Sequence, residues 1–254
     1  DLDGNGTLEI ILAARKAGKV YAFNFQGQPI SGWPYNIGVA NNTSVALATS
    51  DLDKDGKPEV IVSTFSSSDF VQRISVIGNN GQAVLGWPKT IWPKAGVPSL
   101  SLGDVDADGK LDILATSATD TSPYLGSILA WNLSGQDIGG FPLGLEGDGF
   151  SPALSDADAD GKAELAVAHR QITSPIGNQS IGGVHVYKSN SQEIFRRSNK
   201  DGLNISIQFQ PVLGDIDGDS KLEMFAYDHR GSLYGWKIPN TSVATKSIEW
   251  PQFD

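Results

Sequence analysis

The sequence predicts an all-β fold of repeated four-stranded antiparallel sheets, the arrangement of a β-propeller. Three observations predict it. An acidic nine-residue loop occurs five times in 254 residues, from Asp1, Asp51, Asp104, Asp156 and Asp215, at intervals of 50, 53, 52 and 59 residues. Short apolar runs bounded by turn residues flank the loops. A further alternating run follows in every repeat, and most repeats then show a Trp-Pro or Phe-Pro dipeptide. Four short strands in a unit of about fifty residues are typical of a propeller blade.

The first two strands of each unit are predicted on either side of the acidic loop. The runs before the loops are 45–48, 99–102 and 211–213, and those after them are 8–12, 58–62, 111–114, 163–167 and 222–225. Their length and turn-rich boundaries favour strands over helices. The first repeat has no such run before Asp1, so it lacks one predicted strand.

The third and fourth strands follow the same plan in each repeat. The third strands are predicted at 19–23, 73–77, 127–131, 183–187 and 232–236. After a polar turn, a last short strand is predicted to end at the tripeptides 32–34, 86–88, 140–142 and 249–251, with 193–195 in this place in the fourth repeat. We expect the proline to cap an outer strand and the aromatic ring to pack between neighbouring units.

The loops carry carboxylates at positions 1, 3, 5 and 9, which can converge on one point. Hard oxygen ligands in this number suit Ca²⁺, and the backbone carbonyl of position 7 can join them. The glycine at position 6 permits a sharp turn. The sequence predicts up to five Ca²⁺ sites, with these ligands: Asp1, Asp3, Asn5 and Glu9; Asp51, Asp53, Asp55 and Glu59; Asp104, Asp106, Asp108 and Asp112; Asp156, Asp158, Asp160 and Glu164; Asp215, Asp217, Asp219 and Glu223.

Two loops depart from the pattern. Asn5 stands where the other loops have aspartate, and Ser220 stands where they have glycine. The first site therefore loses a charge, and the last is expected to be strained because serine tolerates positive φ poorly. The loops from Asp51, Asp104 and Asp156 keep the full set and are predicted to be the strongest sites.

The five loops with their flanking strands and the Gly-Trp-Pro segments resemble the FG-GAP/VCBS-type repeats, which are related to the headpiece propeller of integrin α chains. The loops differ from an EF-hand because the final acid is at position 9 and the flanks are strands. The resemblance covers essentially the whole chain and implies one calcium-binding propeller domain over 1–254, or the C-terminal part of one. The repeats are approximately 1–40, 41–93, 94–147, 148–205 and 206–254. Since the family commonly has about seven blades, we expect further propeller sequence to complete the ring.

Composition and charge favour an extracellular protein. The net charge is −10, and the five loops hold 19 of the 29 acidic residues, so bound cations would neutralise most of it. Calcium modules of low affinity fill at extracellular concentrations. No apolar stretch is long enough to span a membrane. Asn-X-Ser/Thr sequons predict possible glycosylation at Asn41, Asn42, Asn132, Asn178, Asn204 and Asn240.

Catalytic and nucleic-acid signatures are absent from the sequence. It contains no recognisable carboxylate pair for glycoside hydrolysis, no nucleophile elbow, no phosphate loop and no clustered basic patch. His185 alternates with valines and is expected to pack on a strand. The basic residues after the predicted second strands, together with aromatics in the connectors, predict a cationic ligand face opposite the calcium loops: Arg15, Phe70, Tyr124, His169, Arg170, His229 and Arg230.

These observations predict a secreted or surface-displayed, Ca²⁺-stabilised propeller that acts as an adhesion or ligand-binding module for an extracellular glycan or protein. An enzyme is less favoured than a binding module. The alternatives are the scaffold of a secreted polysaccharide-degrading enzyme and a structural subunit of an extracellular assembly.

Overall fold

A computed structural model shows an all-β chain in which every described sheet is antiparallel. The described residues are 1–38, 43–68, 70–91, 99–118, 125–172, 180–198, 207, 209–228, 230–239 and 241. They form five sheets in two compact units. The all-β prediction with repeated antiparallel sheets is therefore confirmed.

The first unit comprises residues 1–100 and 132–136. Its first sheet has three strands in the order β1-β2-β3, and its second has four in the order β4-β5-β6-β7. The strands are β1 Ile10–Ala14, β2 Lys19–Phe23, β3 Tyr35–Asn36, β4 Thr43–Ser50, β5 Glu59–Ser66, β6 Val71–Ile77 and β7 Lys89–Ile91, with a single 3₁₀ turn at Arg15–Ala17. The first sheet lacks the strand that would precede the first loop, as the sequence predicted.

The second unit comprises residues 101–131 and 137–254. The third sheet has four strands, in which β8 Ser101–Gly103, β9 Asp112–Ala118, β10 Gly126–Trp131 and β11 Leu143–Leu145 are neighbours in chain order. In the fourth sheet, β12 Asp148–Gly149 and β13 Ala153–Ser155 both pair with β14 Glu164–Ile172, which is followed by β15 Ser180–Tyr187 and β16 Glu193–Ser198. The fifth contains β17 Val212–Gly214, β18 Glu223–Tyr227 and β19 Leu233–Lys237.

The fourth strand of the first three repeats lies after the Trp-Pro or Phe-Pro dipeptide, not before it. β3, β7 and β11 all begin immediately beyond Pro34, Pro88 and Pro142. The segment before each dipeptide makes only one isolated bridge, such as that between Phe23 and Pro29. The prediction that the last strand ends at this mark is wrong because proline has no N–H to donate and the preceding glycine turns with positive φ. The peptide bonds before Pro34, Pro88 and Pro142 are cis.

The tryptophans of these segments contact the following repeat, as predicted. Trp33 is buried with Val60, Val62 and Ile77 in one apolar cluster of the first unit. The Trp33 indole N–H donates to the Asn79 carbonyl oxygen at 3.3 Å. The Trp87 indole N–H likewise donates to the Leu133 carbonyl oxygen at 2.7 Å, and that turn belongs to the same unit. A tryptophan from one repeat is thus bonded to the turn after the third strand of the next.

Candidate metal centres

The last four acidic loops each join two antiparallel strands, the first loop precedes β1, and all five close with the same hydrogen bonds. In all five loops the N–H of position 6 donates to Oδ2 of the position 1 aspartate, at 2.7 Å in the first loop and 3.1 Å in the fourth. The matching bonds in the second, third and fifth loops measure 2.9, 2.8 and 3.0 Å. The backbone of the loop therefore folds around the position 1 side chain.

The carboxylates at positions 3 and 5 are also oriented by nearby N–H groups. In the second loop, Asp53 Oδ1 accepts from the N–H of Asp55 at 3.1 Å, and Asp55 Oδ1 accepts from the N–H of Lys57 at 2.8 Å. The other four loops repeat both bonds, with Asn5 supplying an amide oxygen in the first. Such Asx turns use one oxygen of each aspartate and leave its second oxygen outside the turn, whereas Asn5 has no second oxygen.

The acid at position 9 reaches back to the start of its loop. One of its oxygens accepts the N–H of position 2 in all five repeats, at 2.6 Å for Glu9, 2.9 Å for Glu59, 3.1 Å for Asp112, 2.7 Å for Glu164 and 3.0 Å for Glu223. The other oxygen, Oε1, is buried without a hydrogen-bond partner among the described residues in Glu9 and Glu164, whereas Oε1 of Glu223 lies 3.9 Å from the Lys237 ammonium nitrogen. A buried carboxylate oxygen that lacks a donor is costly unless a cation meets it.

At least four loops bring carboxylates close enough to share one ion. Ligand oxygens within each group lie within 4.8 Å of one another, and the groups are Asp1, Asp3 and Glu9; Asp51, Asp53 and Glu59; Asp104, Asp106 and Asp108; and Asp156, Asp158 and Glu164. These residues fit a hard divalent cation, because the donor set is all oxygen and three of the loops include the inward-facing position 9 acid. The remaining predicted ligands, Asn5, Asp55, Asp112, Asp160, Asp215, Asp217, Asp219 and Glu223, lie in the same loop framework, which orients them by the hydrogen bonds above.

Burial makes the position 9 carboxylates unfavourable as anions when no cation is present. Burial raises the pKa of Asp112 to about 7, with further contributions from the charges of Asp106, Asp104 and Asp108, against one backbone hydrogen bond that lowers it. Burial also raises the pKa of Glu164 to about 7, and it raises the pKa of Glu59. A bound cation would reverse this effect by favouring the ionised form.

Lysines from the third strands reach into the last two loops, which the sequence analysis did not foresee. The Lys188 ammonium forms an ion pair with Asp158 and lies 3.7 Å from Oδ2 of Asp160. The Lys237 ammonium lies 2.7 Å from Oδ2 of Asp217 and 2.8 Å from Oδ2 of Asp219. The hydrogen bond that Lys188 donates to Asp158 raises the pKa of Lys188, and the hydrogen bond that Lys237 donates to Asp219 lowers the pKa of Asp219. In the first three repeats the residues at the corresponding places are Asn24, Gly78 and Asn132.

The loop backbone is left-handed at two positions, of which the sequence analysis found only one. Position 6 has positive φ in every loop, including 65° at Ser220, so the predicted strain at this serine has a structural basis. Position 4 also has positive φ, and Lys54, Ala107 and Ala159 adopt it although they have side chains. These residues give no signal in the sequence because they are not glycine.

The predicted cationic face is only partly where the sequence placed it. His169 and Arg170 lie within β14, not in a connector after it, and His169 is buried. The prediction for His169 and Arg170 is wrong because this polar dipeptide does not form a turn: β14 continues through it and pairs with β15. The guanidinium of Arg170 lies 3.7 Å from Oδ2 of Asp148. His185 is packed on β15 as predicted.

Other candidate ligand residues are exposed in the connectors between second and third strands. Arg15, Phe70 and Arg230 have this position. Tyr124 and His229 lie outside the described residues. Among the predicted glycosylation sites, Asn132 lies in a turn. Its side-chain Nδ2 donates to Oε1 of Gln136, and its Oδ1 accepts the backbone N–H of Gln136. Asn41, Asn42, Asn178, Asn204 and Asn240 also lie outside the described residues.

The fold and the loops define an all-β repeat protein with an acidic loop between the first two strands of its sheets. Residues 1–62 and 104–167 match the FG-GAP-like repeat family, and each region spans two successive acidic loops. These two regions therefore belong to the FG-GAP-like repeat family, which confirms the resemblance noted in the sequence.

Other comparisons are more distant. No curated protein matches the chain. Among solved structures, the crystal structure of the V. cholerae biofilm matrix protein Bap1 is similar at 12% identity with a TM-score of 0.33, over 96% of this chain and 58% of that one. The chain thus spans little more than half the length of that protein. Among the described residues, no helix has the length and apolar character needed to cross a membrane.

Proposed function

We propose that the chain is a Ca²⁺-stabilised β-propeller, or part of one, that serves outside the cell as an adhesion or ligand-binding module. The observation that carries the proposal is the recurrence of one loop geometry in all five repeats, with the position 1 and position 9 side chains held by the same backbone groups. Ca²⁺ is the ion best suited to an all-oxygen set of this flexibility, and its extracellular concentration matches low-affinity loops.

In this proposal calcium stabilises the fold. The last four loops each join two antiparallel strands, so an ion bound there would hold the start of one strand against the end of the other. Without the ion, three or four like charges would face each other over a short distance and favour opening of the loop. Binding only to the folded chain would add about 1.4 kcal/mol per site if the dissociation constant were about tenfold below the calcium concentration.

The propeller arrangement is supported by the exposed apolar residues of the two terminal sheets. Large apolar side chains are exposed at Leu8, Ile10 and Leu12 in and beside the first sheet, and at Val212, Ile216 and Leu233 in and beside the fifth. Sheets in a propeller are covered on both faces by their neighbours. We propose that further blades cover these faces, as a ring of about seven blades would require.

Ligand binding is assigned to the connectors between second and third strands. Variable loops on a rigid scaffold are the usual place for recognition. Arg15 and Phe70 are exposed there in the first unit and Arg230 in the second, and guanidinium groups and aromatic rings suit an anionic glycan or an acidic protein surface.

The calcium role is tested by stripping metal from the protein and titrating Ca²⁺ back by calorimetry while the melting temperature is followed. We expect the melting temperature to rise by many degrees with calcium and to fall again with excess EGTA. Asp53→Asn should reduce the effect, whereas the control Asp137→Asn, which removes an exposed aspartate outside the loops, should leave it unchanged. A melting curve that does not respond to calcium would contradict the proposal.

The recognition role is tested independently on a glycan array with and without calcium. We expect binding to acidic glycans that weakens with salt and is lost when Arg15 and Arg230 are both replaced by alanine. Retained binding in that variant would exclude the connector surface, while the calcium result would still stand.

A further inference from the structure

A second type of polar cluster lies away from the acidic loops, in the second unit. Glu146, His169 and His185 each offer one ligand atom, and these atoms lie within 4.8 Å of one another. Glu146 directly follows β11 of the third sheet, whereas His169 and His185 stand on β14 and β15 of the fourth. The cluster therefore joins two sheets. It contains imidazole nitrogens, which no acidic loop in the chain supplies.

Strand register places the two imidazoles side by side. Val167 pairs with His185 and His169 pairs with Gly183, so the histidines are on the same face of the sheet, two residues apart in register. Their ring centroids are 4.7 Å apart and the rings are tilted by 48°. Gly183 makes room for this arrangement, because a Cβ atom there would lie 3.0 Å from Cε1 of His169.

Apolar residues of β11 and β14 are buried in the same unit as this cluster. Leu143, Leu145, Leu165 and Val167 belong to one buried apolar cluster together with Tyr187. His169 is 4% exposed and His185 is 1% exposed, whereas Glu146 is half-buried. An ion could therefore enter past the glutamate and meet two imidazoles in a medium of low dielectric constant, where ligand–metal attraction is strong.

The hydrogen bonds of His185 prepare one of its nitrogens as a ligand. Nδ1 lies 3.2 Å from Oε2 of Glu193 and 3.1 Å from the hydroxyl of Tyr187. An ionised carboxylate can only accept, so Nδ1 carries the hydrogen and Nε2 keeps its lone pair. Nε2 is buried and has no hydrogen-bond partner among the residues that the structure describes. A carboxylate behind an imidazole is the usual support of a metal-binding histidine.

We propose that Glu146, His169 and His185 bind a divalent transition-metal ion of the Zn²⁺ class, at a site separate from the acidic loops. Two imidazoles and one carboxylate are a ligand set for Zn²⁺ and its neighbours, whereas Ca²⁺ and Mg²⁺ prefer oxygen alone. Three protein ligands leave a fourth position for water or for a ligand atom. The ion would tie the third sheet to the fourth, and Glu193 would orient His185 without touching the metal.

The test uses Co²⁺ as a spectroscopic substitute for Zn²⁺, added to the chain in excess Ca²⁺ so that the oxygen-rich loops are occupied. We expect one equivalent of Co²⁺ to bind with the intense visible absorption of a four-coordinate site and to be displaced by Zn²⁺. His169→Gln and His185→Gln should each abolish this absorption. His229→Gln, which removes the third histidine of the chain, is the matched control and should leave it intact.

A positioning role for Glu193 makes a separate prediction. Glu193→Gln should weaken Co²⁺ binding by about 10- to 100-fold and keep the same spectrum, because the first ligands remain. In contrast, Glu146→Gln should change the spectrum itself.

X-ray absorption on the Zn²⁺-loaded wild-type chain gives an answer even if a variant does not fold. Two imidazole rings in the scattering signal would support the site. Absence of bound Zn²⁺ in excess Ca²⁺, a signal from oxygen ligands alone, or full Co²⁺ absorption in folded His185→Gln would each overturn it.

Discussion

The ammonium nitrogen of Lys237 lies 2.7 Å from Oδ2 of Asp217, inside the fifth acidic loop. Lys237 ends β19 and is paired in register with Glu223, the position 9 acid of that loop. The chain therefore provides its own cation where the proposed Ca²⁺ would bind. Lys188, at the corresponding place in the fourth repeat, pairs with Asp158 in the same way. The first three loops have no lysine at this place.

Replacing Lys237 with methionine should raise the calcium affinity of the fifth loop, because the ion would no longer displace a bound ammonium group. The gain should be modest, since the lysine side chain is 57% exposed and solvent weakens its ion pairs. Exposed ion pairs contribute little, so the dissociation constant for calcium should change by no more than about fivefold. Calorimetric titration with calcium measures this effect.

Lys221→Met is the matched control for charge. It removes one positive charge from position 7 of the same loop, but none of the described hydrogen bonds involves its ammonium group. Equal effects of the two substitutions would show that net charge alone matters. The same comparison applies to Lys188→Met and Lys162→Met in the fourth loop. The full carboxylate set of this loop predicts strong calcium binding, whereas the ion pair of Lys188 is expected to weaken it.

The loops were predictable from sequence because each is local. Positions 1 to 9 of a loop make nearly all their hydrogen bonds within nine residues, so the ligand pattern and the flanking strands can be seen together. The two lysines could not be found in this way. Their contact depends on the register of a hairpin, and Lys188 is 30 residues from Asp158 in the chain.

Strand ends were less predictable than strand centres. His169 and Arg170 looked like a polar turn, yet β14 continues through both because the neighbouring strands supply partners on each side. The fourth strands were displaced past Pro34 and Pro88 because tertiary contacts of the tryptophans fix the preceding segment as a turn. The local pattern of apolar and turn residues does not predict such long-range contacts.

The metal-free protein should lose stability as pH rises from about 4.5 to 8. Asp112 and Glu164 have pKa values of about 7 in the folded chain, whereas the unfolded values are about 4. The folded state therefore holds more protons in this window, so its free energy of unfolding falls as pH increases through it. Urea unfolding of metal-stripped protein at several pH values measures the slope.

Saturating calcium should abolish that loss, because the ion favours ionised carboxylates and competes with protons. Asp112→Asn should reduce the slope of stability against pH in the metal-free protein, since it removes one of the carboxyl groups whose pKa is raised in the folded state. Stability that increases with pH in the metal-free chain would be incompatible with protonated acids in the folded loops.

Gly140→Ala should destabilise the second unit, and Gly139→Ala should not. Gly140 has φ of 92°, and a Cβ atom there would lie 2.6 Å from the carbonyl oxygen of Ser189. Gly139, one residue earlier in the same turn, has open space around the Cβ position. Unfavourable backbone conformation alone costs about 1–3 kcal/mol, and the contact with a backbone oxygen adds to it.

Denaturant unfolding of both glycine variants measures the difference. Because the two substitutions make the same chemical change in adjacent residues, their effects on the unfolded chain are nearly equal. A similar loss in both variants would mean that the turn does not pack against Ser189 in solution.

Reciprocal exchange at position 6 tests whether the fifth loop is strained. Ser220 has φ of 65° and Gly56, at the same place in the second loop, has φ of 90° with nothing within 4 Å of a Cβ atom. A left-handed conformation costs an ordinary residue about 1–2 kcal/mol, while glycine loses about 0.4–1 kcal/mol through its freer unfolded chain. Ser220→Gly should therefore stabilise the protein by roughly 0.5 kcal/mol, and Gly56→Ser should destabilise it by a similar amount.

Both carboxylate sets are unchanged, so the shifts in stability should appear in metal-free protein as well as in calcium. Thermal and urea unfolding in the two conditions separate this backbone effect from ion binding. If Ser220→Gly changed stability only when calcium is present, the serine would act on the ligand geometry and not through its own conformation.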